Sequence, residues 1–143
     1  MSGDLIGNED VLNWLNLASK GGDLTIYSGG ETDIGRVFKE MGYPIKFGPQ
    51  GIICENFAQS FLAYHVLKNN KERLEGLLRE KGIVATVEIP ASFDGKVVTH
   101  RNGDDCLMEA EGYFQKYMLT LKSRRGKKKK QLKHHPEITV IGF

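Results

Sequence analysis

Ile83-Val84-Ala85-Thr86-Val87-Glu88-Ile89 is the most strand-like stretch of this chain, rich in β-branched residues and stopped by Pro90. Beyond it comes a turn containing Asp94-Gly95, and then Val97-Val98-Thr99-His100-Arg101. Asp-Gly between two β-prone runs is hairpin chemistry, because glycine supplies the positive φ that a tight reversal needs. The two runs are therefore expected to pair as antiparallel strands, and the rest of the chain is expected to pack on the sheet they begin.

Helical periodicity dominates on the N-terminal side. Asn8 before Glu9-Asp10 reads as a cap, and Val11, Leu15 and Ala18 form a stripe that ends at Gly21-Gly22. Leu24-Thr25-Ile26-Tyr27 is a short strand. Thr32 reads as the next cap, followed by Ile34, Val37, Phe38 and Met41 at i, i+3, i+4, i+7 spacing. Tyr43 to Phe47 is extended and Gly48-Pro49-Gln50-Gly51 is a turn. Ile53 to Leu67 is apolar nearly all round, as a buried helix should be, and Asn69-Asn70 is expected to break it. Leu74, Leu77 and Leu78 define a further helix with Glu75 and Arg79 at i, i+4.

C-terminal to the hairpin, Asn102-Gly103-Asp104 turns the chain. Cys106, Ala110, Phe114, Tyr117 and Leu121 suit a helix whose tail could equally be a strand, and Ile138 to Phe143 is a closing strand. The order α-β-α-β-α-α-β-β-α-β predicts an α+β fold, a small and mainly antiparallel sheet with helices packed on it. A chain of 143 residues that is 40% apolar can enclose one good core, so a single domain over 1–143 is expected.

The net charge of +2 conceals an asymmetry. The segment 122–133 holds Lys122, Arg124, Arg125, Lys127, Lys128, Lys129, Lys130 and Lys133 with no acid, which leaves 12 basic against 18 acidic residues elsewhere, a net −6. Eight like charges cannot enter an apolar interior. The segment, extended by His134 and His135 to 122–135, should lie exposed and attract a polyanion, with RNA the leading partner. No aromatic residue interrupts it, so base stacking would have to come from elsewhere.

Membrane insertion is not expected, since no run approaches the ~18 apolar residues of a spanning helix. Met1 to Asn8 lacks the features of a secretory leader. With two cysteines and no disulfide framework, a reducing, cytoplasmic setting is the simplest expectation.

Cys54 and Cys106 are the two thiols. Cys54 falls where the buried helix is expected to start, a position at which unpaired N–H groups can activate a thiol, although a small core residue is the plainer reading. His65 lies eleven residues on, about 16 Å along a helix axis, too far to act as its base. His100 could serve only if the sheet edge comes beside the helix start. No Cys/His cluster has metal-ligand spacing, and nothing calls for a cofactor.

Gly3-Asp4-Leu5-Ile6, Ile26-Tyr27-Ser28-Gly29-Gly30-Glu31 and Cys54-Glu55-Asn56-Phe57 stand in the order of three landmarks that they resemble. The landmarks are those of the H-box/NC proteins, related to the lecithin:retinol acyltransferase and NlpC/P60 enzymes and including the 2A proteins of some picornaviruses. The resemblance spans roughly fifteen residues. It implies a cysteine nucleophile at Cys54, but Asp23 stands where the family's catalytic histidine is expected, and Ile53 and Asn56 replace the residues flanking the cysteine. An aspartate is too weak a base for a thiol. The implied protein is thus a viral one that kept the scaffold without the chemistry and binds RNA or a host protein, in the host cytoplasm or nucleus, as a monomer or homo-oligomer. The alternative is a cysteine-dependent acyltransferase or hydrolase using Cys54, with His100 or a histidine of a second subunit as base.

Overall fold

In the computed structural model, which describes residues 1–48, 51–113 and 115–143, the chain opens with a 3-10 turn over Gly3–Leu5 and then helix α1, Glu9–Ser19. Asn8 caps α1 as expected, its side chain accepting from the Val11 N–H at 3.1 Å, and Val11, Leu12 and Leu15 are buried. Strand β1 is Thr25–Tyr27 and helix α2 is Glu31–Glu40.

The cap of α2 is Gly30 rather than Thr32. Glycine is required there by proximity: a Cβ on Gly30 would come within 2.9 Å of Asn70 Nδ2 and 3.0 Å of Leu67. Strands β2, Phe47–Gly48, and β3, Gly51–Ile52, make a short antiparallel pair. The turn expected between them has Pro49 and Gln50 outside the described residues.

The two helices expected on either side of Asn69-Asn70 are one helix, α3, Phe57–Glu80. An asparagine breaks a helix by bonding its own backbone. Asn70 is instead buried and donates through Nδ2 to Asp33 Oδ2 of α2 at 3.0 Å, so the helical ladder continues past it. Glu75 pairs with Lys71 at 3.8 Å rather than with Arg79. The N-terminal half of α3 packs on α2 through Phe38, Ile34, Ala63, Val66 and Leu67. Its C-terminal half presents Leu74 and Leu78 to a larger core with α1, Ile26, Val87 and Leu119.

Strand pairing departs from the expected mainly antiparallel pattern. β4, Thr86–Glu88, does not join the hairpin but runs parallel to β1, with Ile26 opposite Val87. The hairpin is made by β5, Ala91–Phe93, and β6, Val98–His100. Asp94 holds its turn by accepting from the N–H groups of Lys96 and Val97 at 2.9 and 2.8 Å, and Gly95 has φ +95°. The residues nearest the turn close it at the lowest loop entropy, which leaves the earlier run free for β1.

Helix α4, Gly103–Glu109, is followed by β7, Lys116–Thr120, so the ambiguous tail is a strand. The final run is β8, Ile138–Gly142, and it pairs parallel with β7 over five residue pairs. Parallel neighbours need a crossover. That crossover is the basic segment, a 3-10 turn at Lys122–Arg124 leading into helix α5, Arg125–Gln131. Leu119 faces the α1–α3 core, whereas Met118, Ile138 and Val140 face Leu132 at the end of α5. Met1 and Ser2 bridge the two parallel pairs: the Gly29 N–H donates to Met1 O and the Ser2 N–H to Leu119 O, each at 3.0 Å. The α+β class stands, with helices covering small strand pairs, two parallel and two antiparallel among the described residues.

Candidate nucleic-acid interface

The lysine run is an ordered helix docked by its C-terminal end rather than a loose appendage. No residue of α5 itself is buried; Leu132, its C-cap, is the anchor. Cations in the last turn suit the negative end of the helix dipole.

Two of the eight cations are matched by carboxylates. Arg124 pairs with Asp4 at 3.1 Å and the half-buried Lys128 with Asp104. Lys122, Arg125, Lys127, Lys129, Lys130 and Lys133 are exposed, with no ion pair among the described residues. His135 bonds Glu137 at 3.1 Å and His134 is exposed. A cationic face therefore remains after the domain's own acids are counted.

Arg124, Lys127, Lys128 and Gln131 fall at i, i+3, i+4 and i+7 and line a cleft of about 850 Å³. The same cleft is lined by Met1, Tyr27, Tyr113, Cys54, His100 and Asp23. One depression thus brings together the basic helix and every candidate catalytic residue.

Their chemistry there is quiet. Cys54 precedes the Asn56 cap of α3, so it lies outside the helix and not in the first turn where its N–H groups could activate a thiol. Asn56 accepts from the Gln59 N–H at 2.9 Å, and Gln59 Oε1 accepts from the Glu55 N–H at 2.7 Å, so these two N–H groups are already engaged. Burial pushes the Cys54 thiol up, partly offset by a hydrogen bond from Ser60. Burial pushes His100 down, partly offset by its contact with the Ser60 carbonyl, 3.0 Å from Nε2. Both shifts favour a neutral thiol and a neutral imidazole over a thiolate–imidazolium pair. Among the described residues neither His100 nor Asp23 is hydrogen-bonded to Cys54. Alkylation of Cys54 is accordingly expected to be slow at pH 7, to rise steadily with pH, and to level off only above the ordinary thiol range. A stopped-flow iodoacetamide titration showing a pH-independent fast rate near neutrality would contradict this.

Cys106 is buried, and its thiol is also pushed up, first by burial. His65 is exposed on α3. Among the described residues no group of three His, Cys, Asp or Glu side chains is placed to hold a metal ion, and no helix is long and apolar enough to cross a membrane.

The first two landmarks of the resemblance do meet. A Cβ on Gly3 would collide with the Gly29 carbonyl and lie 3.2 Å from Gly30 Cα, so the Gly3–Ile6 opening packs directly on the Gly29-Gly30 turn.

One surface escaped the sequence. Phe57 and Phe93, 53% and 36% exposed, gather with Phe61, Tyr64 and His65 on the outer side of α3, with Phe57 and Phe61 stacked at 5.5 Å. The i, i+4, i+8 spacing of Phe57, Phe61 and His65 was the available signal. In a helix apolar nearly all round it reads as core.

No family model matches the chain, and neither the curated proteins nor the solved structures compared with it contain a significant match.

Proposed function

We propose that this chain is a non-catalytic RNA-binding accessory protein that contacts phosphates through α5 and the turn before it. The supporting observation is the exposed cationic face that survives internal pairing: six of the eight cations are without a carboxylate partner among the described residues. Phosphate contacts of this kind are independent of sequence and weaken with salt. The resemblance to H-box/NC proteins favours a viral origin, and the neutral state expected of Cys54 and His100 favours binding over acyl transfer. The aromatic face of α3 supports a second role, docking of a host protein or of a second copy of the chain.

Fluorescence anisotropy with a labelled single-stranded RNA tests the main reading. The variant Lys127→Gln, Lys129→Gln, Lys130→Gln leaves the Lys128–Asp104 pair in place. It is expected to bind at least about tenfold more weakly and to reduce the slope of log K against log salt by about 2. Phe57→Ser, on the aromatic face, should leave RNA affinity unchanged. Undetectable binding by the unsubstituted chain at low salt, or an unchanged slope in the triple variant, would overturn the proposal.

A further inference from the structure

We infer that the nucleic acid bound is single-stranded, with its phosphates on the crossover at Lys127 and the unpaired cations next to it, and an unpaired base lodged in the adjoining cleft against the Tyr113 ring. This rests on the RNA-binding reading and adds to it the class of strand and the place of the base.

Several contacts join the two halves of that site. Lys128 holds Asp104 at the start of α4. The Met1 amine, within electrostatic reach of both, donates to Tyr27 O of β1 at 2.6 Å. Two residues back along β1, about 7 Å, Thr25 Oγ1 bonds the Tyr113 hydroxyl at 3.1 Å. Lys127 of the crossover and the Tyr113 ring thus lie along one cleft that β1 also lines. Tyr113 is 43% exposed, tethered at its hydroxyl, and lines the cleft together with Lys127. A ring so held loses little freedom when a base stacks on it.

Size and charge select the strand. A volume near 850 Å³ lies in the range that encloses a drug-sized molecule, enough for a nucleotide or two and too small for a duplex. Bases in a duplex are already stacked and offer no free face to a tyrosine. The cleft's other margins carry Asp23, Glu31 and Asp33, which repel phosphate. Asp4 and Asp104 are paired with Arg124 and Lys128, which leaves Lys127 as the unpaired charge on the α5 margin among the described residues. The backbone is therefore confined to the α5 side, with the uncharged base directed inward.

Affinities for a single-stranded pyrimidine RNA and for a duplex RNA of equal length, at one salt concentration, form the test. Tyr113→Ala should weaken single-strand binding about 5- to 150-fold with its salt slope unchanged. Tyr113→Phe, which keeps the ring but loses its tether to Thr25, should weaken single-strand binding far less than Tyr113→Ala, and duplex binding should respond to neither. Photo-cross-linking of 4-thiouridine RNA to the unsubstituted chain gives a second readout, expected at Tyr113 or Tyr27. Equal affinity for the two RNAs, an unaffected Tyr113→Ala variant, or cross-links confined to α5 would overturn the inference. If the triple lysine variant still binds more weakly in that case, the phosphate-contact reading survives alone. Absence of binding to either RNA overturns both.

Discussion

Phe38→Ala is expected to lower the free energy of unfolding by about 3–5 kcal/mol, a large share of the ~5–15 kcal/mol typical of a domain. Phe38 is fully enclosed, packed against Ala63, Val66 and Leu67 of α3 and edge-on to Tyr43 at 5.6 Å. The space it vacates cannot close easily. α2 is tied to α3 beside it by the Asn70–Asp33 hydrogen bond, and the Tyr43 N–H donates to the Phe38 carbonyl at 2.8 Å. Urea denaturation reads the effect as a lower midpoint at unchanged slope. Leu17→Ala, at a site 67% exposed, should change stability by less than about 0.5 kcal/mol. A loss below about 1 kcal/mol for Phe38→Ala would mean that the α2–α3 contact is looser than described.

Leu132→Ala should cost about 2–4 kcal/mol, and the cost should fall on one element. Leu132 fills the face of the β7–β8 pair formed by Met118, Ile138 and Val140, while α5 buries nothing of its own. Four consecutive lysines repel one another, so without Leu132 the helix is held mainly by the Arg124–Asp4 and Lys128–Asp104 pairs at its edge. Hydrogen exchange should accelerate across Arg125–Gln131 well before β1 or β4 responds. The charges remain after the substitution, so attraction to RNA should persist with its salt dependence. The preference for single strands should shrink, because it requires Lys127 to be held on the margin of the cleft that Tyr113 lines. Unchanged exchange in α5 would show that it is fastened by contacts other than Leu132.

Where sequence reading succeeded, a single side chain's own physics was enough. The Asn8 cap, the Ile34 and Phe38 positions of the α2 stripe and the Asp94-Gly95 turn follow from local bonding or periodicity within a few residues, whereas Met41, expected to extend that stripe, lies past the end of α2 and is exposed. Where it failed, a distant partner had taken over. Asn70 was expected to break a helix and does not, because Asp33, 37 residues away, engages its side chain. Ile83 to Ile89 was expected in the hairpin, but its centre pairs with β1, some sixty residues earlier. Cys54 was placed at a helix start on apolar pattern alone, whereas Asn56 and Gln59 set the first turn at Phe57.

By itself the sequence determined the α+β class, the main helical stripes and the exposure of the lysine run, because periodicity and the desolvation cost of charge act on each residue whatever its neighbours. Only the tertiary structure decided that the lysine run is a crossover helix between parallel strands, that Cys54 and His100 share a cleft, and that Tyr113 lines the same cleft as Lys127. Those facts depend on which of many remote segments come into contact. That choice rests on the packing of the whole chain, which no short stretch of residues encodes.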